Sequence, residues 1–311
     1  MLNVNRVTNF DKNCCESITF LGKVAKKVLK TPKIAKKIFG QKNKYVFKKF
    51  DCLRLSNYEL AGDQNKSVPV NKVIWTGWLQ GEKHLPEVTN YCLKSIRAHS
   101  NNHPVILITL NNLKKYLPDF PDFILEKYTD RKMLSAHLMD IIRIMLIRRY
   151  GGIWIDPTVL VTRDFSNKSF NLCFYSYRGN PSPWGSNPSE SKWCTFLMGG
   201  KKDSTFYKRI EIGLLSYWKS SDVTIDYFLL DYLMKWIYLN DSEIQINVDS
   251  IKQSKGTVFD LVDVLGNKYS EKEFTKYEQL LNEEPIYKLT YKRENMLNED
   301  SLFTYLLRNS D

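Results

Sequence analysis

The chain has 311 residues, 43% of them hydrophobic and 13% aromatic, which is enough to bury one large core and excludes global disorder. Its 46 basic and 34 acidic residues leave a net charge of +12, which by itself suits nucleic acid, an anionic membrane or an acidic substrate. No stretch approaches the roughly 18 uninterrupted apolar residues of a membrane span and no signal peptide opens the sequence, so an integral or secreted protein is not expected.

The excess charge lies in one place. Between Lys23 and Lys49 there are eleven lysines, and no acid occurs from Ser17 to Phe50. Val24, Ala25, Val28, Leu29, Ile34, Ala35, Ile38 and Phe39 recur among them at helical spacings. The pattern predicts one or two basic amphipathic helices interrupted near Pro32. Residues 1–67 thus read as a basic amino-terminal segment that lies on an anionic membrane surface or packs, solvated, on its own domain. Nucleic acid is disfavoured as a partner, since neither arginine nor frequent aromatics accompany the lysines for base contacts.

Residues 68–311 read as one α/β domain. Asn71 to Trp75 predicts a buried strand, Leu85 to His99 a helix, and His103 to Thr109 an apolar strand. Short helices are expected around Pro118 and Pro121, then a long helix from Lys132 to Arg149 ended by Gly151 and Gly152. Ile153 to Ile155 forms the next strand, closed by Pro157. Strands alternating with helices predict a largely parallel sheet covered on both faces, with ligands at the carboxyl ends of its strands. Arg178 to Lys192, with three prolines, two glycines and four serines, is a long loop that is either a substrate-facing lid or a surface excursion. Phe196 to Met198 reads as a strand, with helices at Thr205 to Lys219 and Ile225 to Leu239. Residues 250–284 are polar and mixed, and give little. The six scattered cysteines, without CxxC spacing, read as buried thiols of a reducing compartment.

No Walker A, GxGxxG, HExxH or GxSxG pattern is present. The informative run is Leu134 to Thr162. Its helix is apolar nearly all round yet carries His137, Asp140 and Arg143 within one sector. Asp140 and Arg143 are either an internal i,i+3 ion pair or a carboxylate and guanidinium aimed at sugar hydroxyls and phosphate. Asp156 ends a strand sixteen residues later, and with Thr158 two residues on it offers two oxygens to a hard cation.

The run SAHLMDIIRIMLIRRYGGIWIDPTVL resembles the sugar-binding region of family 32 glycosyltransferases with a DxD motif, and is most similar to the capsular polysaccharide synthesis branch. KVIWTG (72–77), DYFLLD (226–231) and YKLTYK (287–292) add weaker likeness, so the resemblance spans about residues 68–300. It implies a GT-A-type Rossmann-like glycosyltransferase fold with helical additions, transferring a sugar from a nucleotide-sugar donor, UDP-linked, to a glycan or lipid-linked glycan acceptor with retention. It also implies that Asp140, Arg143 and Asp156 are the catalytic set, with Asp140 and Arg143 on the donor sugar. Trp75, Thr76, Gly77 and Trp154 would bind the nucleotide, and Asp156 with Thr158 would hold Mn²⁺ or Mg²⁺. Trp184, Asp226 and Asp231 are candidates for the acceptor side. Either tryptophan of the nucleotide set is alternatively core packing. Two departures stand out: Met139 replaces the serine common before the helix aspartate, and Thr158 replaces the second DxD acid. The implied place of work is the cytoplasm, peripheral on the inner face of the plasma membrane. The rival readings are a binding-only protein of the same fold and, remotely, a nucleic-acid-binding protein.

Overall fold

The computed structural model describes residues 6–53, 60 and 72–309. The expected boundary at 67 and 68, and Asn71 at the head of the first expected strand, lie outside them.

The lysine-rich segment folds as a hairpin of α1 (Asn9–Lys27) and α2 (Pro32–Leu53). Pro32 stands at the first helical position, where its missing N–H costs nothing. The helices approach closely, because a Cβ on Gly22 would stand 2.4 Å from the Phe39 ring. The carboxyl half of α2 is not a solvated surface helix: Val46 and Phe50 are fully buried in the main core, and Lys42 is buried in an ion pair with Asp226. The turn end of the hairpin is different. Leu21, Val28, Leu29 and Ile34 are exposed there among the exposed Lys23, Lys27, Lys30, Lys33 and Lys37.

The α/β part follows as β1 (Ile74–Gly77), α3 (Glu87–Ala98), β2 (Val105–Ile108), α4 (Leu113–Tyr116), α5 (Asp122–Thr129), α6 (Ser135–Tyr150), β3 (Gly152–Ile155), β4 (Val159–Val161), β5 (Tyr175–Ser176) and β6 (Leu197–Gly200). Then come α7 (Thr205–Ser220), α8 (Leu229–Leu239), α9 (Ser242–Asp249), α10 (Leu261–Leu265), α11 (Glu271–Leu281), β7 (Ile286–Lys288) and α12 (Leu302–Asn309). The five-stranded sheet has the order β2-β1-β3-β6-β5. It is mixed, not largely parallel: β1 runs parallel to β2 and β3, but β6 is antiparallel to both β3 and β5. A parallel neighbour needs a crossover of a dozen or more residues, usually a helix, and no α-helix lies between β3 and β6.

Helix α6 packs against the sheet with α7 and α8 over it. It ends at Gly151 and Gly152, whose φ of 71° and 101° suit glycine. A Cβ on Gly152 would also meet the Val73 carbonyl at 2.4 Å, so β3 leaves the helix directly beside β1. The expected helix at Ile225 begins four residues later, because the Asp226 side chain accepts the Phe228 N–H in a local turn that competes with helix. The stretch 250–284 contains α10 and α11. Their Leu261, Val264, Leu265, Tyr277 and Leu280 form a smaller core with Leu160, Tyr287 and Phe303. All six cysteines are free, with Cys15 and Cys92 buried and the others half-buried. Among the described residues no helix is long and apolar enough to cross a membrane.

Candidate functional site

A cleft of about 860 Å³ opens at the carboxyl ends of the parallel strands β1 and β3. Gly77 and Trp78 come from the end of β1, Asp156 to Thr158 from the end of β3, Met139, Asp140 and Arg143 from α6, Tyr227 and Phe228 from the approach to α8, and Leu230 and Asp231 from its first turn. Lys288 to Lys292, at the end of β7 and just after it, form the remaining wall. Carboxylates and cations thus converge on the rim where an α/β sheet binds ligands.

Arg143 is the hub. One terminal nitrogen lies 3.4 Å from a carboxylate oxygen of Asp140 and 3.4 Å from one of Asp156, and the other donates to the Thr195 carbonyl. Its guanidinium carbon sits 5.2 Å from the centre of the Trp154 ring, whose indole N–H donates to Asp156 at 2.9 Å. Asp140 and Arg143 therefore do form the i,i+3 pair, and Asp156 shares it at the floor of the cleft. The carboxylates differ in their proton affinity. For Asp156, burial works upward, but Lys288, Arg143 and the Trp154 indole outweigh it and hold the group at about 2. For Asp140, burial raises the pKa and Arg143 and His137 only partly offset it. At Asp231, burial and the charge of Asp140 push the carboxyl up to about 7 against the hydrogen bond from the Trp193 indole.

The nucleotide-side tryptophans are placed differently from the expectation. Trp75 is fully buried, donates to the Gly151 carbonyl at 2.9 Å and packs on Tyr116 and Tyr150, away from the cleft. Gly77, two residues on, shares its face of the sheet but stands at the strand's end, whereas Trp75 is set back from the rim. Trp154 is also fully buried, supporting Arg143 and Asp156 from beneath. Thr76 is buried, its hydroxyl has no hydrogen-bond partner among the described residues, and it does not line the cleft. Gly77 does, and a Cβ there would press on Trp154 at 2.7 Å and Met139 at 2.8 Å. The aromatic groups that do line the cleft are Trp78, Tyr227, Phe228, Phe259 and Tyr291, with Trp78 and Tyr291 edge to face at 5.5 Å. Trp78 follows the quoted strand motif by one residue, and Tyr291 lies within YKLTYK; those two could have been found from the sequence.

Among the acceptor-side candidates only Asp231 reaches the cleft. Asp226 is engaged by Lys42 at 2.5 Å, a contact that ties α2 to the entrance of α8. Trp184 packs against the Ala25, Ala35 and Phe39 cluster of the hairpin, with Lys26 5.8 Å above its ring. Its loop is no lid over this cleft: Ser254 donates to Arg178, Gln253 to Asn180, and Lys192 and Lys235 pair with Asp249 and Glu190, pinning the loop on another face.

The divalent-metal expectation meets an obstacle in the donor set. Asp156 Oδ2 and Thr158 Oγ1, the two oxygens meant for the cation, converge on Lys288 Nζ at 2.9 and 2.6 Å. No group of three or more His, Cys, Asp or Glu able to hold a metal ion occurs among the described residues. One carboxylate and one neutral hydroxyl already satisfied by an ammonium do not fit a hard dication. The sequence does not single out Lys288, although it belongs to YKLTYK.

A comparison with curated protein sequences finds no match. Among solved structures the chain is similar to the PaToxG glycosyltransferase, at 12% identity and a TM-score of 0.40, over 81% of this chain and 96% of that one. The sequence profile described as capsular polysaccharide synthesis protein matches residues 26–306, which take in Asp140, Arg143, Asp156, Thr158, Asp231 and Lys288. The chain therefore belongs to the capsular polysaccharide synthesis protein family.

Proposed function

We propose that the protein is a GT-A-type glycosyltransferase of capsule or exopolysaccharide assembly. It moves a hexose or related sugar from a nucleoside diphosphate donor, UDP-linked, to a glycan or lipid-linked glycan acceptor. The observation that carries this reading is the convergence of Asp140, Arg143 and Asp156 at the carboxyl ends of β1 and β3, in a cleft walled by aromatics. Family membership and the likeness to DxD glycosyltransferases support it, and retention is what that likeness implies.

In this reading Asp140 and Arg143 meet the hydroxyls of the donor sugar, and Asp156 keeps Arg143 in place from below. Trp78 and Tyr291, set edge to face, line the cleft with aromatic rings, and a base or sugar face stacks on one of them. Asp231, close to its titration midpoint at neutral pH, offers a hydrogen bond to an acceptor hydroxyl in either protonation state. The exposed leucine, valine and isoleucine side chains at the turn of the α1–α2 hairpin, ringed by lysines, would seat the enzyme on the anionic inner face of the plasma membrane, where a lipid-linked acceptor is presented.

A thermal-shift panel of nucleotide sugars and free nucleoside diphosphates tests the reading. A cognate donor at 100 times its Kd adds about 2.7 kcal/mol of stability, roughly 5 °C for a chain of this size. Asp140→Asn should lose the extra shift of the nucleotide sugar over the bare diphosphate. No shift with any member of the panel would reject it.

A further inference from the structure

The cation at the end of β3 belongs to the protein itself. Asp156 and Thr158 stand two residues apart where a DxD site would carry two acids, and their oxygens close on Lys288 Nζ at 2.9 and 2.6 Å. The charges match: two acids at such a site carry −2 and suit a dication, whereas Asp156 with a neutral threonine carries −1 and suits one ammonium. Lys288 is held there by backbone pairing. Strand β7 pairs antiparallel with β4, registering Lys288 opposite Val159, and the Leu289 N–H donates to the Thr158 carbonyl at 2.8 Å. The lysine amine also lies 5.4 Å over the Phe196 ring. Of the three N–H donors of the ammonium, two serve Asp156 and Thr158, and the third has no hydrogen-bond acceptor among the described residues. The side chain is 22% exposed and lines the cleft, with Lys292 on the same wall and Arg143 at the floor.

We infer that Lys288 takes the place of a divalent metal and binds the diphosphate of the donor. The inference rests on the glycosyltransferase reading of this cleft and deepens it. An ammonium fixed by a carboxylate and a hydroxyl presents its remaining N–H to a phosphate oxygen without first having to order a flexible lysine, and Lys292 adds a second positive charge to the same wall. A diphosphate anion meets the two lysine cations of that wall, with the paired Arg143 at the floor beneath them, and no dication is needed to bridge it.

The test uses the full chain and UDP as the probe, with binding measured by calorimetry in EDTA and again in MnCl₂. The wild type should bind equally in both, within about twofold. Lys288→Met should weaken binding by at least about tenfold, the scale of one lost charge-assisted hydrogen bond, in both buffers. Lys288→Arg should keep most of the affinity. The double variant Thr158→Asp with Lys288→Ala should lose binding in EDTA and regain it with Mn²⁺, which separates loss of the cation from loss of the fold. Wild-type binding that collapses in EDTA and returns with Mn²⁺ would overturn the inference while leaving the glycosyltransferase reading intact. Wild-type affinity in Lys288→Met would overturn it as well, and absence of UDP binding under every condition would remove both.

Discussion

Replacing Asp231 with asparagine should make the protein more stable and less active at once, by an amount that depends on pH. In the native state burial and the Asp140 charge push this carboxyl up to about 7, against an ordinary value of 3.8. The native state therefore holds a proton that the unfolded chain has released between those two values. The sign follows: the unfolded state binds fewer protons there, so stability falls as pH rises from about 4 toward 7 and stays reduced above it. Three pK units at 1.36 kcal/mol each amount to about 4 kcal/mol at pH 8. The amide of the Asp231→Asn variant would still accept the Trp193 indole N–H through its oxygen while carrying no charge to desolvate. Urea unfolding of the wild type and the variant at pH 5 and pH 8 measures the difference. The variant should gain up to about 4 kcal/mol at pH 8 and clearly less at pH 5, with donor turnover falling at least tenfold. A stabilised but disabled variant is the mark of a group kept for its chemistry although it weakens the fold. Parallel pH profiles for the two proteins would refute the reasoning.

Other substitutions separate the site from its supports. Asp156→Asn should cost about 2 kcal/mol at pH 7, the loss of a carboxylate held at about 2 by Lys288 and Arg143; that contribution is present above pH 4 and fades as pH falls toward 2, so urea curves of the two proteins should converge at acid pH. Asp140→Asn, at a carboxyl whose charge burial disfavours, should keep the wild-type melting temperature within a few degrees while lowering turnover at least a hundredfold, about 2.7 kcal/mol. Trp78→Ala should weaken donor binding, whereas Trp75→Phe should lower the unfolding free energy by about 1 to 3 kcal/mol and leave nucleotide affinity unchanged in calorimetry. Val28→Ser with Leu29→Ser should reduce sedimentation with anionic vesicles at low salt and leave donor hydrolysis intact; equal sedimentation of the variant and the wild type would reject the membrane seat.

Much of the site is legible in one run of sequence because it is local. Asp140, Arg143 and Asp156 sit on one helix and the strand that follows it, so helical spacing and the glycine stop are enough to bring them together. The cleft's other wall is not local. Lys288 faces Asp156 only through the β4–β7 register across more than a hundred residues, and no periodicity in YKLTYK announces that pairing. Trp75 and Trp154 show the limit in another way: a strand motif says that an aromatic residue is present, but not how far behind the rim its ring is packed. The hairpin is half legible. Its amphipathic spacing is plain, yet the burial of Val46, Phe50 and Lys42 follows from α7 and α8, which the lysine pattern does not mention. The mixed sheet escapes for a similar reason, since the missing crossover helix before β6 signals antiparallel pairing only once β6 is known to lie beside β3.

The most direct measurement of the central claim is hydrolysis or transfer from a panel of nucleotide sugars by the wild type and Asp140→Asn at equal, verified folding. The expected result is release of nucleoside diphosphate from at least one UDP-linked sugar by the wild type, reduced at least a hundredfold in the variant. Equal rates in the two proteins, or no turnover of any nucleotide sugar by a wild type presented with glycan acceptors, would contradict it.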